Sequence, residues 1–151
     1  MRRAEREMGT DFALSVVSNC EYAALATVNE DGTPYCMTVS PVVVGGAVYF
    51  HCAPVGKKLD NITRCSKVCI SCVQNTRLVP EQFTTNYESA VATGVCEVIT
   101  DDNEKIMALR AICEKYAMSN MSEFDSAIKK SLSRTTVCKI TIEQLTGKAK
   151  R

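Results

Sequence analysis

The residue types in this chain that could do chemistry lie mostly between Pro34 and Cys72. His51 is the only histidine, and it directly follows Tyr49-Phe50 at the end of a strand-like run. Its ordinary pKa lies near neutrality, so it could hold or release a proton at cellular pH. Taken alone, a histidine at a strand end is more often a hydrogen-bonded structural residue. Shortly after it, Gly56-Lys57-Lys58 opens a short helical segment. A helix start presents free backbone N–H groups, and two ammonium groups beside it favour a phosphate. A solvated lysine pair covering a helix end is the equal alternative. Cys69-Ile70-Ser71-Cys72 has the spacing of a redox or metal pair. It sits inside a strand pattern, however, with no second cysteine pair at zinc-finger spacing and one histidine in the chain, so no metal site is expected.

The elements that must position these residues can be traced along the sequence. Thr10-Asp11 starts a helix carrying Phe12, Leu14, Val16 and Val17. Tyr22 to Val28 is strand-like, and Asn29-Glu30-Asp31-Gly32 supplies a turn. A second strand is expected from Pro34 to Val44, and Gly45-Gly46 then turns the chain into Ala47–His51 as a hairpin. Gly56–Ile62 reads as a helical crossover. Lys67 to Val73 is the fourth strand, with Val68, Ile70 and Cys72 on one face. The polar stretch Gln74 to Asn86 is expected to be a surface loop. Tyr87 to Ile99 alternates again, with Gly94 as a candidate bulge.

Asp101-Asp102-Asn103-Glu104 starts a helix whose apolar face is Ile106, Leu109, Ile112, Cys113 and Tyr116. A weaker helix covers Glu123 to Leu132, and Thr135 to Ile142 is the last strand. The basic tail, Lys148-Ala149-Lys150-Arg151, is expected to be a solvated end. Short hairpin-connected strands with a few helices do not make a doubly wound parallel sheet. They suit a small closed or half-closed antiparallel barrel with helices at its openings.

The 151 residues make one domain, long enough to bury a sizeable core. Eighteen basic residues against 17 acidic ones leave a formal charge of +1, which argues against nucleic-acid binding or a membrane-surface role. No apolar run is long enough to span a bilayer, and the charged start, Met1 to Glu7, leads into no signal-like apolar region. A cytoplasmic protein is therefore expected, with its nine cysteines reduced. Cys20, Cys36, Cys52, Cys69, Cys72 and Cys96 lie in or beside apolar runs, where a free thiol behaves as a small hydrophobe.

Three stretches carry a resemblance when taken together: Pro34–Pro41, Val48–Ala53 and Gly56–Ile62. In order and spacing they resemble the FMN-binding split-barrel superfamily, and within it the nitroimidazole-resistance branch related to pyridoxamine 5′-phosphate oxidase. The resemblance continues through Val68–Ser71, Tyr87–Gly94 and Glu104-Lys105 to Thr146-Gly147-Lys148, and so covers the chain from Arg2-Arg3 to the tail. Thr38 departs from it, standing where the branch carries a proline.

The resemblance implies a mainly β fold with helices, a six-stranded antiparallel Greek-key split barrel. It implies a homodimer with FMN at the subunit interface and a small-molecule substrate. By position, Lys57 and Lys58 hold the phosphate, and Phe50 and His51 lie along the ribityl chain and ring. Thr38, Val39 and Ser40 meet the isoalloxazine edge, and Ser89 is a polar contact. The implied activity is reduction of small electrophiles such as nitroimidazoles, with His51 as proton donor or substrate contact. Two alternatives stay open: a flavin-binding or redox-sensing module without turnover, and a haem-handling relative with His51 as iron ligand. No Gly-x-Gly-x-x-Gly nicotinamide fingerprint is present, so the electron donor is not named.

Overall fold

A computed structural model describes residues 3–151; Arg2, where the resemblance starts, lies outside them. Eight strands form a single sheet. In chain order the elements are β1 (Glu7–Met8), α1 (Thr10–Asn19), β2 (Ala23–Val28), β3 (Pro34–Val39), β4 (Val42–Val44) and β5 (Ala47–Cys52). They continue with α2 (Lys57–Arg64), β6 (Lys67–Val79), β7 (Thr84–Val98), α3 (Asp102–Tyr116), α4 (Phe124–Ser131) and β8 (Thr136–Lys150). The strand order is β3-β2-β6-β7-β8-β5-β4, with β1 added on β8, and every pairing is antiparallel.

The count is eight strands where six were expected, and the reasons are local. Pro41 has no N–H to give a ladder, so the expected Pro34–Val44 strand breaks there into β3 and β4. These two halves end up at opposite edges of the sheet, and the link at Ser40-Pro41 is where the barrel is split. The expected loop at 74–86 is instead a long arm: β6 runs on to Val79, β7 begins at Thr84, and a bulge interrupts their register between Gln74 and Arg77. The basic tail is not a free end either. It continues β8, with Lys148 opposite Ser89 and Lys150 opposite Tyr87.

Alternation decides which residues fill the barrel. Val68, Ile70 and Cys72 point inward with Leu25, Val48, Phe50 and Ile140, and α1 plugs one opening with Ala13, Val16 and Val17. The opposite face of β5 carries Tyr49, which joins Leu109 and Ile112 of α3 and Phe124 of α4 in a second, smaller core. Asp101 caps α3, its carboxylate accepting from the Glu104 N–H at 2.8 Å. Gly45 and Gly46, at φ +58° and +82°, make the tight β4–β5 turn that left-handed backbone requires. Gly94 marks a register shift, and a side chain there would strike the Thr141 carbonyl of β8.

Candidate functional site

The split in the barrel leaves β3 with one partner, β2, and its other edge unpaired. That edge offers a row of backbone N–H and C=O groups. Beside it opens a cleft of about 460 Å³, lined by Thr38, Val39 and Ser40 of the β3 end, His51 of β5, Lys58 of α2, and Tyr22. Five of the eight residues picked out by the sequence, Thr38, Val39, Ser40, His51 and Lys58, thus meet in one place. Tyr22 was not among them. The sequence made it the first residue of a strand; it lies just before β2, and at 58% exposure it is the aromatic side chain of the cleft.

The other three are placed elsewhere. Phe50 is fully buried, and its ring lies 5.3 Å under the Lys58 ammonium, so it supports that lysine from the core. Lys57 turns away from the cleft. It lies 5.0 Å over the Tyr35 ring and lines a separate polar hollow with Asn29, Asp31, Asp60 and Arg64. Ser89 is on β7, its hydroxyl 3.5 Å from the Lys148 carbonyl, and does not line the cleft.

Helix α2 is held in place by a buried asparagine. Asn61 donates to the Thr27 hydroxyl at 3.1 Å and to the Asn29 side-chain carbonyl at 3.0 Å, while Arg64 donates to the Asn61 side chain and the Val28 carbonyl. Gly56, at φ +144°, is its N-cap. The first N–H groups of α2 therefore stay without intrahelical acceptors beside Lys58. The opposite wall is tied down from α3. Lys115 and Tyr116 both donate to the Pro41 carbonyl, each at 2.8 Å.

Partial desolvation of the imidazole, and then the Lys58 ammonium, hold the His51 pKa below the ordinary histidine value. The imidazole is accordingly neutral at pH 7, with one nitrogen able to donate and one to accept. The cysteines contribute no group to the cleft. Cys69 and Cys72 lie on opposite faces of β6, where no disulfide can join them, and all nine cysteines are unbridged.

The family model for pyridoxamine 5′-phosphate oxidase matches residues 11–149. The chain belongs to that family. No curated protein matches it. Among solved structures, it is similar to a Bacteroides thetaiotaomicron protein named for 5-nitroimidazole antibiotic resistance, at 25% identity and a TM-score of 0.79, covering 95% of this chain and 86% of that one. A Mycobacterium smegmatis FAD and heme binding protein shares the fold at 18% identity and a TM-score of 0.83, over 97% of this chain and 74% of that one. So does a Mesorhizobium loti FAD-binding protein, at 18% identity and 0.71, over 97% and 98%. A pyridoxamine 5′-phosphate oxidase-like split barrel is the architecture the residues indicated. No helix among the described residues is long and apolar enough to cross a membrane.

Proposed function

We propose that this protein binds FMN in the cleft between the free β3 edge and α2, and that it reduces small electrophiles of the 5-nitroimidazole type in the cytoplasm. The observation that carries this reading is the meeting of an unpaired strand edge, a lysine at a helix start and the sole histidine in one cleft. A flavin needs those three things: donors and acceptors along its pyrimidine edge, a cation at its phosphate, and a titratable group near the ring. The cleft volume, about 460 Å³, falls within the range of cofactor and ligand sites.

Bound there, FMN would supply the hydride or electron chemistry, and the chain would supply the rest. Thr38 and Ser40 would orient the ring edge through backbone and hydroxyl groups. Lys58, with the first N–H groups of α2, would neutralise the phosphate. Tyr22 would cover one face of the ring and exclude water. His51, neutral at rest, would donate a hydrogen bond to the substrate's polar group and, as that group gains charge, relay a proton to it while its other ring nitrogen takes one up from water.

The same reading includes a homodimer. The β6–β7 arm ends in Phe83, 98% exposed, and Leu78, 75% exposed, which is apolar surface that a second copy would cover. The solved structure named for 5-nitroimidazole antibiotic resistance, to which the chain is similar, supports this choice of substrate class. The test is consumption of NAD(P)H or of a chemical reductant with 2-methyl-5-nitroimidazole by flavin-loaded protein. Turnover that needs both flavin and nitro compound is expected; a loaded protein that never turns over is a flavin store or sensor instead.

A further inference from the structure

His51 has a second neighbour that the proposed chemistry does not use. On the side away from Thr38–Ser40 it borders a chamber of about 200 Å³ between the end of β5, α3 and α4. The inner wall is apolar: Leu109, Ile112 and Phe124 are buried, and Met121 and Ile128 are partly so. The rim is polar, with exposed Asn120 and Glu123. The chamber is thus a half-open hollow against the second core of the protein, on the same face of β5 as Tyr49.

Buried apolar side chains at its floor and exposed residues at its mouth make a concave site with an apolar base, the form small-molecule sites take. Its size also limits what could enter. An apolar cavity of about 150 Å³ is enough for benzene, so this hollow of about 200 Å³ has room for a single substituted ring. The wall offers no counter-charge, and the Glu123 carboxylate at the rim repels anions. Of its other polar side chains, Ser131 and Thr135 spend their hydroxyl protons on the Ala127 and Ser131 carbonyls, and His51 is the group shared with the cleft.

We infer that this chamber is the binding site for the organic part of the substrate, a neutral single-ring molecule whose polar substituent is directed to His51. The inference rests on the function proposed above for its biological meaning, but the binding site itself does not depend on flavin. It assigns α3 and α4 the role of selecting substrates by size and charge, and makes His51 the group at which chamber and cleft meet.

Nitrobenzene and benzoate are close in shape and differ in charge, so they serve as the probes. Methyl resonances of Met121 and Ile128 report on the chamber in the full-length protein as purified. Nitrobenzene should shift them saturably, and benzoate at the same concentrations should not. Ala127 is exposed on α4 and lines the chamber, so Ala127→Phe should fill it and weaken nitrobenzene binding at least tenfold, with Ala127→Leu giving a smaller loss in the same direction. Unshifted methyls at saturating nitrobenzene would overturn the inference. So would equal responses to benzoate, or full binding by both Ala127 variants with the fold intact. A protein that carries no flavin yet shows the nitrobenzene shifts would defeat the proposed function and leave the chamber standing. A flavin-loaded enzyme with unshifted methyls would do the reverse.

Discussion

Lys115 Nζ, near the end of α3, donates to the Pro41 carbonyl at 2.8 Å and simultaneously to that of Cys20 at 2.7 Å. One ammonium group thereby joins the point where the barrel splits to the segment that carries Tyr22. Both carbonyls belong to stretches outside the strand ladder, where no sheet partner satisfies them.

Replacing Lys115 by Met should therefore cost stability and loosen the cleft together. Hydrogen bonds from charged groups contribute about 1.5–3 kcal/mol each. Burial of the ammonium, which lowers its pKa, offsets part of that, and Tyr116 still reaches Pro41. A net loss of about 1–2 kcal/mol is expected, read as a Tm lower by about 2–8 °C. Flavin content after purification should fall with it; unchanged Tm and flavin content would show that the clamp is dispensable.

The two lysines of α2 should behave differently. Lys58 lines the cleft and Lys57 does not. Lys58→Ala should weaken FMN by about tenfold to a hundredfold, the worth of one charge-assisted contact. Riboflavin, which has no phosphate, should be nearly unaffected. Lys57→Ala should change both ligands little. Fluorescence titrations of the two flavins against both variants decide this, and a larger effect at Lys57 would place the phosphate on the other side of the helix start.

Because His51 is the only histidine, its imidazole protons give an unambiguous NMR titration. The midpoint should lie below 6.5, since burial and Lys58 both disfavour the charged ring. The linkage sign follows. Above pH 6.5 the ring is neutral in both folded and unfolded chains; as pH falls, the unfolded chain takes up its proton first, and stability drops until the folded ring is protonated too. Urea denaturation at pH 7.5 and pH 5 should show this drop in the wild type and a smaller one in His51→Gln. A midpoint above 6.5 would point to a carboxylate partner absent from this arrangement.

Gly94→Ala tests the β7–β8 register. A methyl group there meets the Thr141 carbonyl, so the strands must separate locally. A loss of about 1–3 kcal/mol is expected from such overpacking. Thermal melting of the variant checks it, and an unchanged Tm would mean that the bulge can slide.

Much of this architecture was legible where one face of a strand is buried. Val68, Ile70 and Cys72 alternate because the barrel interior selects them, and Asp101 and Gly45-Gly46 announce their cap and turn by type. The arm at 74–86 was not legible. Arg77 and Leu78 are exposed on its two faces, so no burial imposes alternation there, and backbone pairing holds it together with the amide donations of Gln74 and Asn75 to Glu88. The β8 tail was missed for the same reason: Lys148 and Lys150 join the sheet through their main chain. Composition cannot report a bond that every residue can make. Of the residues that line the cleft, the family resemblance pointed to Thr38, Val39 and Ser40, while His51 and Lys58 also stood out by residue type and placement. Tyr22 joins them only through the tertiary approach of its segment to β3, and the chamber depends on how α3 and α4 dock, which no local pattern encodes.

The central claim is an FMN site in a paired chain, and native mass spectrometry of freshly purified protein tests it most directly. The predicted species is a dimer carrying two FMN molecules, collapsing to bare chains and free FMN on denaturation. A flavin-loaded monomer, or a dimer carrying haem or no flavin after incubation with FMN, would contradict it.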